Sequence, residues 1–253
     1  MIYDGERRNV SIALGGDAMI TRSMQVFKEE AFLRLIKILR EADVTVTNLE
    51  MLFHHYESSW QWSSGTYTRS DPNNLLDLMW MGVDAVTTAN NHAYDFSEGG
   101  FLRTLEHCRN MGLAQAGGGK NMDEARAPVY IDSAGGRVAI MGVSSTFSEQ
   151  SRAGGGRPDF PGRPGINALR HEKIHYVDDG VFDALITANE KLGYTADKEN
   201  RRQFGFLGPT DCPKEEDGIE FLEAKFRRNS EFLVKTSANK EDLAGIENWI
   251  RGA

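Results

Sequence analysis

Short apolar runs alternate with amphipathic stretches along residues 10–147, and that alternation predicts a βαβ succession around a largely parallel sheet. The runs at 10–14, 44–49 and 83–89 read as buried strands. Between the first two, Phe32, Leu35, Ile36 and Leu39 recur at helical spacing within 28–41. Asp71 reads as the cap of a helix that begins with Pro72, buries Leu75, Leu76, Leu78 and Met79, and stops at Gly82. A further helix is expected over 100–111, closed by Gly112. Segments 129–132 and 138–143 flank Ser133-Ala134-Gly135-Gly136, the pattern of a hairpin or tight β connection.

Two stretches break the rhythm. Residues 53–69 hold His54, His55, Tyr56, Trp60, Trp62 and Tyr67 without a clear period, and read as an excursion over the strand ends. Such a loop serves equally well as a substrate wall or as a set of aromatic anchors for itself. Residues 148–170 are rich in Gly, Pro, Arg and Ser and read as a connection. Beyond it the chain is highly charged, with helices expected over 181–192, 218–228 and 240–251 and a strand over 231–235. The expected organisation is an α/β part at 1–147, the connection at 148–170, and a mainly helical part of the same domain at 171–253.

Composition narrows the class of protein. With 253 residues and 40% hydrophobic content the chain supports a substantial core. The 29 basic and 37 acidic residues give a formal charge of -8, which disfavours attraction to nucleic acid and anionic membranes. Cys108 and Cys212 lie far apart without metal-finger spacing, so two reduced thiols are expected. No apolar stretch reaches the roughly 18 to 20 residues of a membrane span, and Met1-Ile2-Tyr3-Asp4-Gly5-Glu6 lacks the apolar core of a signal peptide. A soluble, cytoplasmic protein is the expectation.

The chemistry gathers where the strands end. The first apolar run leads into Gly15-Gly16-Asp17, the second into Asn48-Leu49-Glu50, and the third into Asn90-Asn91-His92-Ala93-Tyr94-Asp95. Open α/β sheets place their ligands at such ends. Asp17 and Glu50 offer hard oxygen donors, Asn91 an amide and His92 an imidazole, a set suited to Mn, Fe, Zn or Mg. Any one of these residues is ordinary in a turn or cap; three strand ends with the same character are not. Asp95 is placed either to orient His92 or to cap the following helix, the cap being the preferred reading.

In order and spacing, Gly16-Asp17, Asn48-Leu49-Glu50 and Asn90-Asn91-His92-Ala93-Tyr94-Asp95 resemble the signature of the bacterial CapA family of poly-γ-glutamate capsule synthesis. Gly65-Thr66-Tyr67, Ala125-Arg126-Ala127-Pro128, Gly142-Val143-Ser144-Ser145 and Arg163-Pro164-Gly165-Ile166-Asn167 extend the resemblance over most of residues 10–170. The resemblance implies a calcineurin-like metallophosphoesterase fold, an α/β/β/α sandwich with one or two divalent ions at its strand ends. It implies Asp17, Glu50 and Asn91 as metal ligands and His92 as the imidazole that moves a proton or stabilises a leaving oxygen, with Asp95 beside it.

Departures from that pattern shape the expectation. Met19 stands where a ligand histidine is usual two residues after the first aspartate, and the later His-Trp-Gly or His-Ala-His and Gly-His-His-Pro-His types of motif do not occur. The expected sandwich is therefore incomplete, an N-terminal portion lacking the C-terminal strands and inactive alone. His171 and His175 are candidate substitutes only if helical, and read better as surface histidines. For the whole protein the resemblance implies metal-assisted hydrolysis or acid/base chemistry on a peptide-like or phosphorylated small molecule. The alternatives are epimerisation at a peptide Cα, or a non-catalytic component of a polymer synthesis or export complex that binds an anionic polymer.

Overall fold

The computed structural model describes residues 9–62, 65–207 and 218–253 and divides the chain into two units. The first comprises residues 1–169 and 240–253, the second 170–239. Cys212 and the N-terminal hexapeptide considered above lie outside the described residues.

The first unit is α/β. Its central sheet is parallel, in the order β1 (Ile12–Ala18), β2 (Val44–Leu49), β5 (Ala85–Thr87), β6 (Ala114–Ala116). Short pairs accompany it, β3 (Leu52–Phe53) with β4 (Arg69–Ser70), and β7 (Gly118–Gly119) with β10 (Gly165–Ile166). Strands β8 (Val129–Ser133) and β9 (Gly136–Ile140) form the expected antiparallel hairpin. Helices α1 (Glu30–Glu41), α2 (Leu75–Met81), α3 (Ser97–Met111) and α4 (Met122–Arg126) accompany these strands.

Strand β2 is buried almost throughout because both of its faces are covered, as parallel sheets require. On one face Val44 and Val46 cluster with Ala85, Ala116 and Ile140, against Val129, Ile131 and Val138 of the hairpin. On the other face Leu49 and Val86 join Leu75, Leu78, Cys108 and Leu113 from the helical side. Burial pushes the Cys108 thiol up to about 12, leaving it an inert core group. Local signals hold where expected: Asp71 accepts from the Asn73 amide at 2.9 Å, and Gly82 ends α2 in the left-handed region at φ 98°.

The connection expected at 148–170 is instead folded into this unit. Gly154 bridges Arg163, β10 pairs with β7, and Ala153, Ile166, Asn167 and Ala168 are buried. Gly162 and Gly165 allow close backbone contact: at Gly165 an added Cβ would lie 2.4 Å from the Ser151 carbonyl oxygen. The boundary between units accordingly follows Leu169 rather than residue 147.

The second unit corrects the mainly helical expectation for 171–253. It holds β11 (His171–Val177), α5 (Asp179–Lys191), α6 (Tyr194–Gln203), β12 (Gly218–Phe221), β13 (Ala224–Arg228) and β14 (Leu233–Ala238), with sheet order β12-β13-β11-β14. The helix expected over 218–228 is the β12–β13 hairpin, turned by Leu222 and Glu223 at φ 48° and 65°. His171 and His175 lie on β11, and His175 rests against the Phe226 ring at 5.3 Å. The chain then returns to the first unit as α7 (Lys240–Gly252), where Asp242 pairs with Arg126 at 3.4 Å.

Candidate functional site

Asp17 lies near the end of β1, beyond an irregularity in the pairing with β2 between Leu14 and Asp17. Gly16 takes φ 69° there, a conformation glycine adopts without strain, and its carbonyl accepts the Thr47 hydroxyl at 2.5 Å. The result sets Asp17 opposite Asn48, the penultimate residue of β2. Asn48 donates through Nδ2 to Asp17 Oδ1 at 2.9 Å and also to Glu50 Oε2. One carboxamide thus joins two carboxylates from neighbouring strand ends. Asp17 Oδ2 and Glu50 Oε1 have no hydrogen-bond partner among the described residues.

The amide is held by its other end. Asn48 Oδ1 accepts from Thr87 Oγ1 and from Asn90 Nδ2, both at 3.2 Å, and Asn90 also donates to the Leu49 carbonyl at 2.8 Å. Asn90 Oδ1 accepts the His92 amide at 3.0 Å, so this buried residue shapes the loop that carries the imidazole. Asn91 by contrast is exposed. The sequence points to Asn91 as the amide of the site, whereas the interlocked amides are Asn48 and Asn90. Asn48 has a legible signal, because it precedes Glu50 by two positions at the end of a strand.

His92 and Asp95 form a pair. His92 Nδ1 lies 2.8 Å from Asp95 Oδ2, and the same oxygen accepts the Thr68 amide at 2.6 Å and lies 3.0 Å from the Thr68 hydroxyl. The preferred expectation that Asp95 caps the next helix is corrected: α3 starts after Phe96 without a side-chain cap. A tight return, with the Asp95 amide on the His92 carbonyl at 3.1 Å, brings the carboxylate back to the ring instead. Thr68 was not legible as part of this arrangement, since it comes from the aperiodic excursion 53–69.

These groups share one electrostatic neighbourhood. Burial raises the Glu50 pKa above its ordinary value, and the Asp17 charge raises it further. The hydrogen bond from Asn48 and the charge of His92 oppose that, while Asp95 adds to it. Glu50 is therefore within electrostatic reach of Asp17, His92 and Asp95. Among the described residues no three His, Cys, Asp or Glu side chains form a group that would hold a metal by themselves. Met19 is 55% exposed and offers a soft thioether sulfur rather than a nitrogen.

The excursion 53–69 is tied down beside the pair. Gln61 donates its amide to the Asp95 carbonyl at 2.9 Å, and Arg69 Nε donates to the His54 carbonyl at 2.7 Å while its guanidinium sits 3.9 Å over the Tyr56 ring. His54 is fully buried against Phe96, with ring centres 4.6 Å apart. Tyr56 and Trp60 are each 66% exposed. Aromatic packing and an exposed aromatic surface coexist in this one loop.

Comparison with known proteins gives a consistent placement. The sequence model of a family described as "Bacterial capsule synthesis protein PGA_cap" matches residues 11–202. Two proteins of Sinorhizobium fredii (strain NBRC 101917 / NGR234), called uncharacterized protein y4sH and uncharacterized protein y4uA, are each 28% identical over 240 residues. The match covers 93% of this chain and 49% of each relative, so the chain spans about half the length of the curated relatives it matches. No helix among the described residues is long and apolar enough to cross a membrane.

Proposed function

This chain belongs to the bacterial capsule synthesis protein family PGA_cap, and on that premise we propose that it carries part of a metal-assisted acid/base site of the metallophosphoesterase type. The observation that carries the reading is the convergence of Asp17, Glu50 and the His92–Asp95 pair at the ends of parallel strands. The proposed architecture for the whole protein is the two-sheet α/β/β/α sandwich, and the proposed substrate is peptide-like or phosphorylated.

The residues fit a hard divalent cation in part. Asp17 Oδ2 and Glu50 Oε1 are oxygen donors without a competing hydrogen bond among the described residues, and like-charge repulsion between the two carboxylates favours a cation beside them. Asp17 and Glu50 would hold the ion, with Asn91 exposed on the adjoining loop as a further oxygen donor. A bound divalent ion supplies Lewis acidity toward a phosphoryl or carbonyl oxygen. Asp95 holds His92 by Nδ1 and leaves Nε2 as the nitrogen that gives or takes a proton. Asn48 keeps the carboxylates at a fixed spacing.

A second reading rests on the same amide. Because Asn48 donates to both carboxylates and Met19 replaces a nitrogen ligand, the strand ends also suit a non-catalytic component of a polymer synthesis complex. Incubating the chain with manganese or zinc and a panel of phosphorylated and γ-glutamyl substrates in deuterated water separates the readings. Phosphate or amine release that is lost in His92→Ala supports hydrolysis. Deuterium uptake without cleavage supports epimerisation, and polyglutamate binding without either supports the non-catalytic component.

A further inference from the structure

We propose that Thr68 is a positioning residue that fixes which nitrogen of His92 carries the proton. The inference deepens the acid/base reading above and rests on it for its catalytic meaning, though its test does not. Three donors converge on Asp95 Oδ2: the Thr68 amide at 2.6 Å, the Thr68 hydroxyl at 3.0 Å and His92 Nδ1 at 2.8 Å. An oxygen that accepts a backbone N–H is an acceptor, so the hydrogen between it and Nδ1 belongs to the imidazole. The neutral ring is thereby held as the Nδ1–H tautomer, with the lone pair on Nε2.

The Thr68 hydroxyl also lies 3.2 Å from the Glu50 carbonyl oxygen, the residue that follows β2. Thr68 therefore touches two of the three strand-end segments at once, through Glu50 and Asp95. Its own backbone is fixed on both sides, by the Leu52 amide donating to the Thr68 carbonyl at 3.2 Å and by the pairing of Arg69 with Leu52. With Asp95 only 11% exposed and Thr68 buried, water does not readily replace these bonds. The excursion 53–69 thus does more than cover the strand ends: its last residue before β4 orients the acid/base pair.

Nitrogen-15 spectra of the imidazoles in the full chain, recorded where His92 is neutral and assigned by loss of one signal pair in His92→Gln, read the tautomer directly. The wild type is expected to show Nδ1–H. Thr68→Val keeps the backbone amide but removes the hydroxyl that helps hold the Asp95 carboxylate in line with Nδ1, so the share of the Nε2–H form should rise about tenfold, the low end for one hydrogen bond to a charged group lost, while Thr68→Ser restores the wild-type ratio. An Nε2–H tautomer in the wild type overturns the proposal even if Thr68→Val does not fold, as does an unchanged ratio in a folded Thr68→Val. Should the tautomer be held as described while no hydrolysis or deuterium uptake occurs, the positioning role stands and the catalytic reading falls.

Discussion

Glu50 and Asp17 approach one another across Asn48, and burial, with the charge of Asp17 added to it, raises the pKa of Glu50. A carboxyl whose folded pKa exceeds its unfolded value near 4.5 binds its proton more tightly in the folded state. Its contribution therefore favours folding at low pH and is lost as pH rises through the raised pKa. A bound cation reverses the sign by favouring the carboxylate. The expected result is that divalent-ion affinity, measured by calorimetry, falls as pH drops through the Glu50 titration, and that Asp17→Asn lowers the Glu50 pKa in carbon-13 spectra.

Removing the Asp95 carboxylate strands the groups that point at it. Asp95→Ala leaves the Thr68 amide and His92 Nδ1 without their acceptor in a largely buried setting, at a cost of about 1–3 kcal/mol in unfolding free energy. Urea denaturation checks this. A change within error of zero would mean that water replaces the carboxylate freely.

His54 predicts a pH dependence of opposite sense to that of Glu50. Burial lowers its pKa below the ordinary 6.5, and the Arg69 charge adds to that, against the opposing charge of Glu57. The unfolded chain then binds more protons than the folded one, so this histidine contributes stability at pH above 6.5 that is lost as pH falls below it. The melting temperature should decline between neutral pH and about pH 5. His54→Gln, which cannot charge, should flatten that decline whatever its effect at neutral pH.

Much of the first unit was legible in the sequence because burial and local signals agree there. The pattern over 44–49 coincides with β2, covered on both faces, and Gly82 marks the end of α2 because only a left-handed residue closes that turn. The second unit was not legible for the converse reason. In β12 and β13 the period-two residues Ile219, Phe221, Ala224 and Phe226 are diluted by charges, and the turn that joins them uses Leu222 and Glu223 where Asn or Gly would announce a hairpin. Half-buried strands rich in charge, joined by an unmarked turn, read as a charged helix. At the site, Asp17, Glu50, His92 and Asp95 were visible from the sequence as strand endings. Asn48 has a local signal in its spacing to Glu50, but its link to Asp17, the link of Asn90 to Asn48 and that of Thr68 to Asp95 required the fold, since they span 31, 42 and 27 residues of chain.

The most direct measurement is calorimetric titration of the metal-stripped chain with manganese and zinc, alongside Asp17→Ala and Glu50→Gln. The account predicts saturable binding by the wild type that both substitutions abolish while the protein remains folded. Absence of binding by the wild type, or binding left unchanged by both substitutions, would contradict it.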